Sequence, residues 1–421
     1  MLMRTEKGRA GLPPEEGAGK RWAIVSLASI PLIMTLGNSM LIPILPLMEK
    51  KLDITKLQSS YIITLYSIVA IILIPIAGFL SDRFGRKIVI IPSLIIAGIG
   101  GIVAGVGAWK FGNAYFFIML GRVLMGIGAA GTAPIVMPLI GDMFKKDEEV
   151  SASLGIIETS NTFGKVLSPI LGSLLAALVW FMPFFAIPVF CAISALLIAF
   201  LIKKPKTEEE PLRFKQFLKN TKEVFKQHGK WLLAVFIIGI ILMFMLFSIL
   251  FYLSNVLEDD YHFTGVKKGF ILAIPLASLC ISSYIAGKVI KDNMVRMKWI
   301  TFGGIVLSGV AALAVSFSSQ LIYMLAVFLI CGIGIGVCLP CLDTLITQTI
   351  EKETRGTISS IYSSMRFVGV AAGPPVMALF MKTNVTWMFI LLAALSLVAA
   401  ILGFKSIRPD KGETRPAETT T

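Results

Sequence analysis

Long apolar runs alternate with short polar breaks along almost the whole chain, and that alternation predicts helices that cross a membrane. The runs fall at 22–48, 59–80, 88–107, 114–141, 151–179, 182–202, 231–254, 269–290, 299–318, 321–347, 357–381 and 386–404. Each is long enough, at about 1.5 Å per residue, to cross a hydrocarbon core of roughly 30 Å. Twelve such helices with mostly short connections place the chain in the all-α membrane class. The one long break divides them six and six. The expected organisation is a tail over 1–21, a six-helix half over 22–202, a linker over 203–230, a second half over 231–404 and a tail over 405–421. In the linker, Phe214, Phe217, Leu218 and Phe225 stand among lysines at near-helical spacing. That spacing predicts a helix lying on the membrane surface, with a disordered connection as the alternative. The first run is too long for a signal-peptide core, and Pro43 and Pro46 predict a kink near its end.

Composition agrees, and charge adds an orientation. Of 421 residues, 56% are hydrophobic and 15% charged, with a mean hydropathy of +0.83, which excludes an ordinary soluble protein. A net charge of +14 would normally suggest nucleic acid as a partner. Its placement removes that reading. On an alternating topology, 29 of the 39 Lys and Arg fall in the two tails and the connections on the same side, and 7 fall on the other side. This imbalance predicts both termini at the cytoplasmic face. Arg122, Lys165 and Arg366 remain inside the runs.

Three patterns suggest cofactor, metal or disulfide chemistry and do not support it. Gly126-Ile-Gly128-Ala-Ala-Gly131 matches a dinucleotide fingerprint, yet it lies mid-run without the strand and turn that a phosphate cradle needs. It reads as close helix packing. Cys338 and Cys341 have metal-ligand spacing but no further Cys or His beside them, so neither a metal nor a cofactor is expected. All five cysteines sit in apolar runs, which implies no disulfide framework.

The two halves repeat. Gly126, Gly128 and Pro134 recur as Gly332, Gly334 and Pro340, and Gly164 and Pro169 recur as Gly369 and Pro374. Gly78 has a faint counterpart in Gly287. Duplicated membrane halves with a site between them are the architecture of alternating-access transport.

Between the second and third runs lies Gly78-Phe-Leu-Ser-Asp82-Arg83-Phe-Gly85-Arg86-Lys87. Its cations are what any inner loop would carry; its two glycines and aspartate at fixed offsets are not. The stretch resembles the G-x-L-x-D-R-x-G-R-K signature of the major facilitator superfamily, and the whole chain can be laid on that family. The resemblance implies a conformational latch built from Gly78, Asp82, Arg83, Gly85 and Arg86, with Asp142 pairing to one of the cations. The fourth run, through Leu120, Arg122 and Gly126, resembles a helix motif of the family's proton antiporters, with Met125 where glutamine is usual. The fifth run resembles the antiporter motif G-x8-G-x3-G-P-x2-G-G through Gly155, Gly164, Pro169 and Gly172, with Ser168 and Ser173 replacing two glycines.

Glu158, Asn161 and Lys165 share one face of the fifth helix, and Arg366 lies at a similar depth in the eleventh. Ionisable groups at such depth are functional candidates. Glu158, Arg122 and Asp343 are the candidates for proton coupling, with Asp343 expected to be the wetter carboxylate. Asn38, Asn161, Lys165, Arg366, Tyr66 and Tyr362 are the candidates for a substrate cavity. The alternative role for Glu158 is a structural counter-charge to Lys165 or Arg366. The deep charges favour neutral or anionic cargo over a cationic drug. The resemblance implies a non-enzymatic, monomeric, proton-coupled exporter of small amphipathic molecules in the bacterial plasma membrane. A drug, or a catecholate siderophore such as bacillibactin, is the expected cargo. A proton-coupled nutrient symporter and a non-transporting receptor or scaffold are the alternatives.

Overall fold

The computed structural model describes residues 14–143, 147–202, 214–290, 293–350 and 352–407. Fourteen α-helices and no strand occur among the described residues. Helix α1 (Pro14–Ser39) passes through a 3₁₀ turn at Ile42–Ile44 into α2 (Leu45–Leu52). Then follow α3 (Lys56–Phe84), α4 (Arg86–Lys110), α5 (Ala114–Ala130), α6 (Ala133–Met143), α7 (Asp147–Leu178) and α8 (Met182–Leu201). The second half holds α9 (Phe214–Asp259), α10 (Gly265–Ile290), α11 (Met294–Ala314), α12 (Leu321–Thr349), α13 (Lys352–Lys382) and α14 (Val385–Ser406). These helices provide 12 stretches long and apolar enough to cross a membrane. The protein is therefore a multi-pass membrane protein.

The starts and breaks follow from local chemistry. Thr55 and Gln58 form a reciprocal capping box at α3, and Asn113, Asn293 and Asn384 cap α5, α11 and α14 with their side chains. Pro43 lies in the 3₁₀ turn and Pro46 in the first turn of α2, so the kink falls near the end of the first run as its sequence predicts. The fourth run is interrupted at Gly131–Thr132, because Pro134 has no amide to continue the ladder.

Two stretches differ from expectation. The helix already begins at Pro14, so 14–21 is not a loose tail. Pro-Glu-Glu is a favourable opening for a helix, with proline near its first position and acids at the positive end of the dipole. Residues 214–230, expected as a surface helix or a disordered linker, form the first turns of the unbroken α9. No Gly or Pro bend separates them from the apolar run except Gly229, which the helix tolerates. The remainder of the linker, 203–213, and both chain ends lie outside the described residues.

Helix contacts confirm the internal repeat. A Cβ at Gly126 would stand 2.6 Å from the Tyr66 carbonyl on α3, and one at Gly332 would collide with the Pro275 carbonyl on α10. The G-x-G pattern is thus a packing face in both halves. Likewise α7 lies against α1, and α13 lies against α9 through Gly369 and Gly373. The faint counterpart fails: Gly78 faces Ser360, whereas nothing lies within 4 Å of a Cβ at Gly287. Large apolar side chains such as Ile72, Phe200, Val310 and Leu397 point outward, which suits a hydrocarbon surround.

Among the described residues the two sets of six spans meet at several places, of which three position the site. Across α3 and α13, Thr64 donates to the Ala371 carbonyl and Ser364 to the Ile71 carbonyl, each at 2.7 Å. Across α7 and α10, a Cβ at Gly269 would stand 2.5 Å from the Pro169 carbonyl. Ser254 of α9 donates to the Ile42 carbonyl at 2.8 Å.

Candidate functional site

Four ionisable residues gather between the halves within electrostatic reach of one another: Glu158 and Lys165 on α7, Asp343 on α12 and Arg366 on α13. Arg366 Nη1 donates to Asp343 Oδ1 at 3.5 Å, and its guanidinium carbon lies 5.6 Å from the Tyr362 ring. Asp343 Oδ2 is buried without a partner, as is the Tyr362 hydroxyl. Asp343 is therefore less wet than its place near the end of the span suggests. Glu158 makes no ion pair with Lys165 or Arg366. Both its oxygens accept from Asn161 Nδ2 at 3.3 Å, and Asn161 Oδ1 in turn accepts from Thr35 on α1 at 2.6 Å. Lys165 is 7% exposed and its Nζ has no partner. It borders a space of about 10 Å³, room for about one water, so this conformation is closed around the ammonium.

Arg122 lies in a separate, fully buried pocket. Its Nε donates to the Ile62 carbonyl at 2.7 Å, Nη1 to the Gly37 carbonyl at 3.2 Å, and Nη2 to Asn38 Oδ1 at 2.5 Å. The Tyr66 ring stacks 4.4 Å from the guanidinium carbon. The Met125 sulfur stands 4.0 Å from Nη1, at the position where glutamine is usual. Arg122, a candidate for proton coupling from the sequence, finds its acceptors in a sealed site joining α1, α3 and α5. Asn38 and Tyr66 belong to that site and not to the Lys165 cluster.

The fifth-helix motif forms the α7 contact surface. Gly164 lets the Leu32 carbonyl and Thr35 approach, and Gly172 sits against the Met40 carbonyl so tightly that a Cβ would collide. Ser168 donates to the Gly164 carbonyl at 2.7 Å, which covers the hydroxyl that replaces a glycine. Pro169 presents its carbonyl to Gly269.

At one face of the molecule, Gly85 takes φ +99°, a value suited to glycine, and breaks α3 from α4. Asp82 and Arg86 form an ion pair across that break, and Arg86 also donates to Ser81 Oγ at 2.9 Å. Arg83 is exposed beside Phe84. Lys87 donates to the carbonyls of Ala199 and Ile202, each at 2.7 Å, closing the end of α8. Gly78 meets Ser360 of the other half, where a Cβ would stand 3.3 Å from Oγ. The Asp142 side chain lies outside the described residues.

The opposite face carries a set that the sequence reading missed. Glu258 is 5% exposed and holds Lys50 at 3.0 Å and Lys268 at 2.9 Å, while Lys56 pairs with Asp259 at 2.7 Å. Lys268, counted in a loop from the sequence, is 1% exposed in the first turn of α10. The available signal was the acidic run Glu258-Asp259-Asp260 opposite the lysines of neighbouring connections.

The family model described as Major Facilitator Superfamily matches residues 27–374 and 298–421. The chain belongs to this superfamily. Its similarity to individual superfamily members spans almost the full length. It is 55% identical over 392 residues to the "Bacillibactin exporter" of Bacillus subtilis (strain 168), covering 93% of this chain and 97% of that protein. It is 24% identical over 376 residues to "Multidrug resistance protein 2" of the same organism, covering 87% and 90%. Among solved structures, the human organic anion transporter MFSD10 (TETRAN) superposes with a TM-score of 0.72 at 17% identity, covering 93% of this chain and all of that one.

Proposed function

We propose that this chain is a proton-coupled exporter of small amphipathic organic acids, with a catecholate siderophore such as bacillibactin as the favoured cargo. The observation that carries the reading is the cluster of Glu158, Lys165, Asp343 and Arg366 between the two halves. A group of charges at membrane depth, divided between two repeated bundles, is suited to binding and releasing ions as the bundles rock. The 55% identical relative, itself named an exporter of bacillibactin, supports the cargo class. Glu158 and Asp343 are the groups that exchange the proton: protonation from the far face accompanies cargo release, and deprotonation toward the motif face resets the cycle. Arg122 contributes by locking α1 to α3 and α5. The loop at Gly78–Arg86, with Asp142, latches one conformation. The chain works as a monomer of two six-helix halves, with both termini in the cytoplasm of a bacterial cell.

The test is substrate-dependent proton movement in inverted vesicles with an acidic interior. Catechol-type anions should accumulate inside while protons leave, more strongly than cationic dyes. Glu158→Gln or Asp343→Asn should abolish gradient-driven accumulation while preserving cargo exchange, and the variant that does so identifies the carrier. Accumulation of cargo only together with protons, down their gradient, would replace export with uptake symport.

A further inference from the structure

Lys165 is the cation of the central cluster that this conformation leaves without a hydrogen bond or ion pair, although Glu158 and Asp343 lie within electrostatic reach. Its ammonium is buried and without a partner, while the neighbouring Arg366 is already engaged by Asp343. The space beside it is walled by Ser39, Ile42 and Pro169 from one half and by Phe247, Leu250 and Leu276 from the other. A buried cation in an apolar pocket is unfavourable unless a counter-charge arrives.

We infer that Lys165 is the anion subsite of the transporter: it takes one ionised oxygen of an aromatic acid, a catecholate or a carboxylate, whose ring rests against the Phe247 and Leu250 wall. This rests on the export reading and adds the recognition chemistry to it. The subsite straddles the seam where Pro169 of α7 meets Gly269 of α10, so parting that seam opens the walls and closing it expels whatever is bound. Cargo affinity is thereby tied to conformation. The same geometry disfavours lipophilic cations, because the unpaired Lys165 ammonium repels them while Arg366 is neutralised by Asp343.

The full chain, with Lys165→Met and Lys165→Arg variants, is tested on four probes: a catechol ionised at the assay pH, its neutral O-methyl ether, an aromatic carboxylate and a lipophilic cation. Ligand-dependent thermal stabilisation in detergent measures binding, and vesicle uptake gives KM and the saturating rate. The wild type should prefer the ionised catechol or carboxylate over the ether by at least about tenfold, the worth of one modest charge contact. Lys165→Met should reduce that preference to about one, chiefly through KM, and Lys165→Arg should recover part of it. Whichever acid loses more identifies the oxygen recognised. Lys165→Met should fold as well as the wild type, since it removes an unpaired buried charge.

Two results overturn the subsite. One is an equal loss of binding for charged and neutral probes in Lys165→Met. The other is an unchanged acid preference in Lys165→Met combined with Glu158→Gln, which would make Lys165 only a counter-ion of Glu158. Acid-selective binding that depends on Lys165, without any vesicle transport, would sink the export reading and leave the subsite standing.

Discussion

Arg122 shows how a charge is accommodated at membrane depth by backbone as much as by side chains. Its fork is answered by the Ile62 and Gly37 carbonyls and by Asn38, and Tyr66 covers one face of the guanidinium. A lysine cannot reproduce this, because a single ammonium cannot reach three diverging acceptors while covering an aromatic ring. Arg122→Lys should therefore lower the stability of the detergent-solubilised protein by about 1–3 kcal/mol, the range for losing hydrogen bonds to a charged group. Asn38→Ala should cost less, because the two carbonyl bonds survive. Thermal unfolding monitored by loss of helicity reads both, and wild-type stability in Arg122→Lys would show that the fork is not structural. Lys165 makes the contrast: it is likewise buried within a span, but its ammonium has no hydrogen-bond partner.

Elements here are brought together by what small residues leave out. The approach of α7 to α1 is set by Gly164 against the Leu32 carbonyl and to the residue after α1 by Gly172 against the Met40 carbonyl, and its approach to α10 by Gly269 against the Pro169 carbonyl. Backbone cannot move aside as a flexible side chain can, so Gly172→Ala should force α7 outward and cost about 1–3 kcal/mol, the usual range for overpacking. Gly155→Ala lies on the same helix and motif with nothing within 4 Å of the added carbon, so it should be silent or slightly stabilising through helix propensity. Comparing the folded yield and melting temperature of the pair checks this. Equal behaviour would mean that the motif acts through something other than contact. The break at Gly85 works differently: a left-handed glycine turns the chain between α3 and α4, and the Asp82–Arg86 pair ties the two helix ends across it.

Across the whole molecule, charge pairs close one face while the glycine-bearing loop meets the other half at the opposite face. Glu258 sits between Lys50 of the first six spans and Lys268 of the second, so one carboxylate ties the halves together. Glu258→Gln should leave Lys268 buried and unpaired, at a cost of about 3–5 kcal/mol if the face stays closed. Opening the face relieves that cost by hydrating the lysine. A cysteine at Ser254, which bridges to Ile42, should consequently react faster with a membrane-impermeant thiol reagent in the Glu258→Gln background. Adding Lys268→Met should restore both stability and protection. Unchanged labelling in Glu258→Gln would show that the pairs decorate the face without holding it shut.

The sequence alone determined the class, the count of membrane-crossing stretches, the internal repeat and the family. Each of these is written in long-range composition: long apolar runs, glycines repeated about 206 positions apart and a charged ten-residue loop survive translation into three dimensions without knowing any partner. The deep ionisable residues were also legible, because a charge inside an apolar run stands out whatever surrounds it. Their pairing was not. Glu158, Asn161 and Lys165 share a helix face, yet Glu158 is held by Asn161, Asp343 takes Arg366 from another helix, and Lys165 is left alone. Helical periodicity fixes direction around one axis but says nothing about how far the neighbouring axis stands. For the same reason Lys268 looked like a loop lysine, although Glu258 on the adjacent helix buries it. Electrostatic partnership falls off over a few ångströms, and separations on that scale between residues on different helices are set by helix packing, which only the tertiary structure decided.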